Sequence, residues 1–116
     1  MISSAPVPPV TDMIRFGRAF IDGKEILLRK EFLDQMFELQ NADNLLDLDH
    51  RSALCFNFKN KAPELGRLLE HGGATMYHRA QLTIAPDAGL ACVLLSDSPN
   101  GKDNAWRLDE QLMVEY

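Results

Sequence analysis

The stretch "LEHGGATMYHRAQLTIAPDAGLACVLLSDSPNG", residues 69–101, constrains the fold of this chain more than any other. Runs of strand-forming residues alternate in it with turn-forming ones, so it reads as three strands joined by tight connections. In "YHRAQLTIA" the residues His78, Ala80, Leu82 and Ile84 share one face, and Tyr77, Arg79, Gln81 and Thr83 share the other. "PDAG" turns the chain: proline suits the second turn position, and Gly89 suits a left-handed residue closing a hairpin. "LACVLLS" is apolar on both faces, which predicts a strand inside a sheet covered on two sides. Glycine weakens a strand, so His71-Gly72-Gly73 needs a reason, and the usual one is close approach of something to the backbone.

The rest of the chain supplies layers for that sheet. Residues 1–9, with three prolines and two serines, read as an extended lead-in. Val10, Met13, Ile14, Gly17, Phe20 and Ile21 fall at helical spacing, with Thr11 and Asp12 at the start and Gly23 as the stop. Phe32, Leu33, Met36, Phe37 and Gln40 line one side of a second helix. "NADNLLDLDH" reads as loop, "SALCFNF" as a strand of period two, and "KNKAPELG" as a hairpin connection. "SPNGKD" reads as a turn, and "NAWRLDEQLMVEY" as a final helix on the sheet. The order predicts a single domain over 1–116 of the α+β class: an antiparallel sheet of three to four strands with helices packed on it.

Charge and composition exclude several functions. The net charge is −5 and no basic run stands out, which argues against nucleic acid as partner. The longest apolar runs are too short to span a bilayer, and the first ten residues carry neither the positive charge nor the apolar core of a signal peptide. Cys55 and Cys92 lie in apolar runs and read as two buried small hydrophobes, not as a disulfide or a zinc pair. His50, His71 and His78 lack metal-ligand spacing. Asp43, Asp47 and Asp49 lack the glycine and the terminal glutamate of a calcium loop. No metal and no cofactor is implied.

Two features invite a catalytic reading. His71-Gly72-Gly73 is compatible with an oxyanion-hole run, but no G-x-S-x-G elbow accompanies it; two glycines for close packing explain it equally well. Ser96-Asp97-Ser98 directly precedes Pro99-Asn100-Gly101, and turn chemistry accounts for it. No serine sits in a context that would activate it.

Two stretches carry a family resemblance. "VTDMIRFGRAFIDGKEILLRKEFLDQMF" resembles the "S-T-A-x-D-M-A-R-F" stretch of the serine β-lactamase, D-alanyl-D-alanine carboxypeptidase and esterase superfamily, the penicillin-binding-protein-like enzymes. "LEHGGATMYHRAQLTIAPDAGLACVLLSDSPNG" resembles that family's "G-H-G-G-A-T-P-G-F" strand, its "I-x-P" hairpin and its "G-L-x-V-V-x-L-x-N-S" strand. The likeness runs in order from about Pro8 to the final helix. It implies a partial β-lactamase-like fold in which His71, Gly72 and Gly73 form one pocket wall. It further implies that His71 faces the polar end of a substrate and that the Ala74 N–H is an oxyanion donor. The S-x-x-K nucleophile and the Tyr-x-Asn element are absent, Gly72 lacks the hydroxyl that often binds a substrate carboxylate, and Tyr77 stands where the family has glycine. The resemblance therefore implies the C-terminal portion of such a hydrolase, supplying substrate-binding residues and no catalytic ones, inert alone. The contrasting expectation is a binding or assembly module whose "LACVLLS" strand lies at an uncovered sheet edge. Its partner is then the missing N-terminal part or a second copy, and the chain forms a homo-oligomer.

Overall fold

The computed structural model describes residues 10–44, 46, 50–59, 63–97 and 111. The amphipathic spacing at the start forms helix α1 (Val10–Ala19). Thr11 lies inside its first turn, and Asp12 pairs with Arg15 one turn on at 3.5 Å. Hydrogen bonds from Phe20, Ile21 and Asp22 to the last carbonyls tighten the exit, and Gly23 turns away at φ 71°. Helix α2 (Lys30–Met36) ends before Gln40, whose N–H instead bonds the carbonyl of Ser52. Four strands follow: β1 (Asn57–Lys59), β2 (Leu68–Ala74), β3 (Arg79–Ala85) and β4 (Leu90–Ser96). They form one antiparallel sheet in the order β1-β2-β3-β4. The expected α+β class with an antiparallel sheet is therefore observed.

Sheet register decides which side chains meet which layer. Leu69, Leu82 and Ile84 point to one face, where Phe20, Leu33, Phe37, Ala53 and Phe56 cover them. Leu68 and Ala85 point to the other, beside Leu65, Leu90 and Cys92. β3 is buried from Gln81 to Ala85, residues of both faces, and is flanked by β2 and β4. Complete burial of Leu69 and Ile84 contributes about 1.5–3 kcal/mol each. The Phe20, Phe37 and Phe56 rings meet at 5.7–6.1 Å in tilted and edge-to-face pairs, a geometry that adds to their burial.

Three expectations need correction. "SALCFNF" is not one strand: Ser52 bridges Asn57, the Ala53 N–H bonds the Phe56 carbonyl, and Cys55 takes φ 64°. This reversal sends Ala53 and Phe56 to the core and Leu54 and Cys55 outward. Cys55 is accordingly exposed and Cys92 half-buried, and neither is in a disulfide, so the pair is not buried. β4 is not an interior strand. It is the sheet edge among the described residues, with α1 packed on one of its faces. Asp47, Asp49, Ser98 and the turn after it lie outside the described residues, as does the final helix except for Gln111, which is helical. No helix among the described residues is long and apolar enough to cross a membrane.

Two contacts tie the layers together. Gly17 brings α1 down on the sheet: a Cβ there would sit 3.3 Å from Ala91 Cβ and 3.4 Å from Leu82 Cδ1. At the β3–β4 turn, Pro86 precedes Asp87, the Ala88 N–H bonds the Ala85 carbonyl, and Gly89 closes the hairpin at φ 69°, as the sequence predicted. Asp87 accepts hydrogen bonds from the Arg67 backbone N–H and from both arms of its guanidinium at 2.8–3.1 Å. Those bonds hold the Asp87 carboxyl below its ordinary range and raise Arg67.

Substitution Gly17→Leu should lift α1 from β4 and cost about 1–3 kcal/mol in urea unfolding, the usual penalty of overfilling a packed contact. Asp87 is less readily protonated in the folded chain than in the unfolded one. Its contribution is complete above the ordinary carboxylate range near pH 4 and is lost as the pH falls through the lower folded value. Each partner's side chain is 43% exposed, so the contribution is at most about 1 kcal/mol. Asp87→Asn should lower the neutral-pH midpoint slightly and flatten the acid limb of the stability curve.

Candidate functional site

The two adjacent glycines of β2 serve opposite faces of the sheet. Gly72 points to the face where the Gln81 amide lies, and a Cβ at 72 would come within 2.7 Å of Gln81 Oε1. Gln81 is buried, and its Nε2 donates to Glu70 Oε2 at 2.8 Å. That carboxylate also pairs with Lys59 Nζ at 3.0 Å. Gly72 thus makes room for a polar chain from β1 to β3. Gly73 points to the face shared with α1, and no atom lies within 4 Å of where its Cβ would be.

That open space belongs to a cavity of about 440 Å³. Met13 and Phe16 of α1, with Phe20 just after it, form one wall, Met36 and Phe56 another, and Ala80, Leu82, Val93 and Leu95 the sheet floor. His71 and Gly73 edge it from β2, and Cys55 from the 52–57 reversal. The lining is almost wholly apolar, as in ligand pockets of this size. His71 is its principal polar group. Its Nδ1 lies 2.6 Å from the Cys55 carbonyl, which can only accept, so Nδ1 carries a proton. In the neutral ring Nε2 is then the nitrogen left to accept a hydrogen bond or a proton. Phe56 packs edge-on against the imidazole at 6.4 Å. The left-handed turn at Cys55 is what aims its carbonyl at this ring.

Of the residues expected to form a pocket wall, His71 and Gly73 reach the cavity, while Gly72 faces the Gln81 amide instead. Ala74 is exposed at the end of β2. Tyr77 is 62% exposed in the bend before β3 and does not line the cavity, so its bulk leaves the mouth open. β1 pairs with β2 only through Leu68, Leu69 and Glu70. From His71 to Ala74 the strand pairs with β3 alone among the described residues. Alternate residues of an antiparallel strand turn their amides to the same side, so two of these four N–H groups face away from β3. Sequence reasoning missed the part of Cys55 and Phe56, because a strand reading hid the reversal that brings them to His71. The apolar helix face was legible, but not that Met13 and Phe16 stand over a gap. No group of metal-ligating side chains occurs among the described residues.

Comparison with protein-family models, with curated proteins and with solved structures returns no match.

The two glycines should therefore respond differently to substitution. Gly73→Val should leave unfolding within about 0.5 kcal/mol of the parent while filling the cavity mouth. Gly72→Val should displace Gln81 from Glu70 and cost about 1–3 kcal/mol, the range for stranding a buried polar group. Urea denaturation of both variants checks this.

Proposed function

We propose that this chain is the C-terminal α+β part of a penicillin-binding-protein-like serine hydrolase of the esterase, amidase or peptidase class. It supplies the pocket-wall strand, and other polypeptide supplies the attacking hydroxyl. The single observation that carries this reading is Gly73. It lies on a strand whose outer edge is unpaired among the described residues, beside an open apolar cavity. Had β2 been sealed under a helix with its amides paired on both sides, the reading would have no support.

The division of labour follows from chemistry. An acyl group approaching β2 would lie over Gly73, where no side chain intervenes, with its apolar portion against Phe16 and Leu95. Outward-facing N–H groups of β2 would stabilise a tetrahedral oxyanion, a charge that fixed dipoles favour over mobile water. His71 Nε2 would accept a hydrogen bond or a proton from the polar end of the substrate. The chain itself contains no S-x-x-K motif, so these groups have no nucleophile of their own to assist.

Two measurements test the proposal on the 116-residue chain. Titration with phenylacetamide, an amide with an apolar group, should move the amide NMR signals of His71–Ala74 and leave those of the 86–89 turn in place. Gly73→Val should abolish the shifts. A serine-directed fluorophosphonate should not label the chain, and a chromogenic ester should not turn over. Unmoved His71–Ala74 signals would sink the pocket wall, and labelling or turnover would sink the assignment of the nucleophile elsewhere.

A further inference from the structure

The contact between Cys55 and His71 decides which nitrogen the imidazole can offer a ligand. Nδ1 lies 2.6 Å from the Cys55 carbonyl oxygen, an atom that only accepts, so Nδ1 carries the proton. Backbone, not a side chain, places that oxygen. Cys55 takes φ 64° inside a reversal closed by the Ala53 N–H bond to the Phe56 carbonyl and by the Ser52–Asn57 bridge. Phe56, buried in the core, packs edge-on against the same ring. Moving the proton to Nε2 would set the bare Nδ1 lone pair against the carbonyl oxygen, acceptor against acceptor. At the cavity edge, the neutral ring therefore presents an acceptor, Nε2, and no N–H donor. Gln81 also borders the cavity, but its amide turns to Glu70 on the opposite face. None of the described residues lining the cavity is Lys, Arg, Asp or Glu.

We infer that His71, held with its proton on Nδ1, is a specificity-determining residue that selects neutral aromatic ligands bearing a hydrogen-bond donor. The inference rests on the hydrolase reading, whose ester, amide and peptide substrates it narrows to those with an N–H. An ester and the matching secondary amide present the same carbonyl to the outward N–H groups of β2. The amide adds an N–H for Nε2, whereas the ester sets an oxygen lone pair against it. A carboxylate would shed water into an uncharged lining with no cation to meet it. Met13, Met36, Phe16, Phe20 and Phe56 suit an aromatic ring, because thioether sulfurs and ring edges attract aromatic groups.

N-methylphenylacetamide and methyl phenylacetate test this, since they differ only in N–H against O. Each is titrated into the 116-residue chain at about pH 8, where imidazole rings are ordinarily neutral, and followed at the amide NMR signals of residues 71–74. The amide should bind at least about threefold more tightly, the worth of one modest hydrogen bond at an exposed edge. Phenylacetate should bind more weakly than either. Nitrogen–proton correlations of the His71 ring should place its proton on Nδ1. His71→Phe, with its circular dichroism spectrum retained, should erase the difference between amide and ester. Equal affinities in the parent chain, a proton on Nε2, or a difference that survives His71→Phe each overturns the inference and leaves the pocket wall standing. Failure of both neutral probes to bind overturns the pocket wall and the inference together.

Discussion

The structure depends on the burial of β3 from both sides. Five consecutive residues, Gln81 to Ala85, are shielded from water, and every one has a register partner on β2, β4 or both. Such a strand cannot exist without its neighbours, because its backbone would lose water and gain nothing in exchange. Packing then recruits the helices. α1 can approach only because residue 17 has no side chain, and the phenylalanines around Phe56 fill the space that remains between the helices and β2. The Arg67–Asp87 pairing is secondary: it fixes the hairpin end, but on an exposed surface it contributes less than one buried leucine.

The cavity results from the same packing. α1 crosses toward β4, while the aromatic cluster gathers over β2 and Leu82. Between the two, Gly73 and Ala80 offer almost no side chain, so the sheet lies bare. The cavity therefore needs no special residue to hold it open. It is what remains when a glycine and an alanine face a helix that rests further along the sheet. His71 differs, since the Cys55 carbonyl fixes its ring. The left-handed turn at Cys55 and a single hydrogen bond orient the imidazole at the edge of the site.

Much of the fold was legible in the sequence because its signals are local. Pro86 and Gly89 mark their own turn, and the alternation in "RAQLTIA" assigns the faces of β3 without knowledge of the partners. What failed was whatever depends on another part of the chain. The alternation of "SALCFNF" is genuine, but Ala53 and Phe56 reach the core by a reversal between them, which period two cannot express. The apolar character of "LACVLLS" indicated burial, yet residue types do not record how many strands lie beyond an edge. The paired glycines were legible as a site of close approach. That they answer to different faces required the position of Gln81, eight residues past Gly73 and across the ladder.

The sheet is fastened unevenly along its length. At the Leu68 end, β2 has strands on both flanks, and Arg67 clamps the neighbouring turn. At the Ala74 end it leans on β3 alone among the described residues. Thermal breathing in such a ladder starts where rungs are fewest and travels inward. The β2 edge of the cavity is therefore its softest wall, able to bow around an occupant while the opposite end of the sheet keeps its shape.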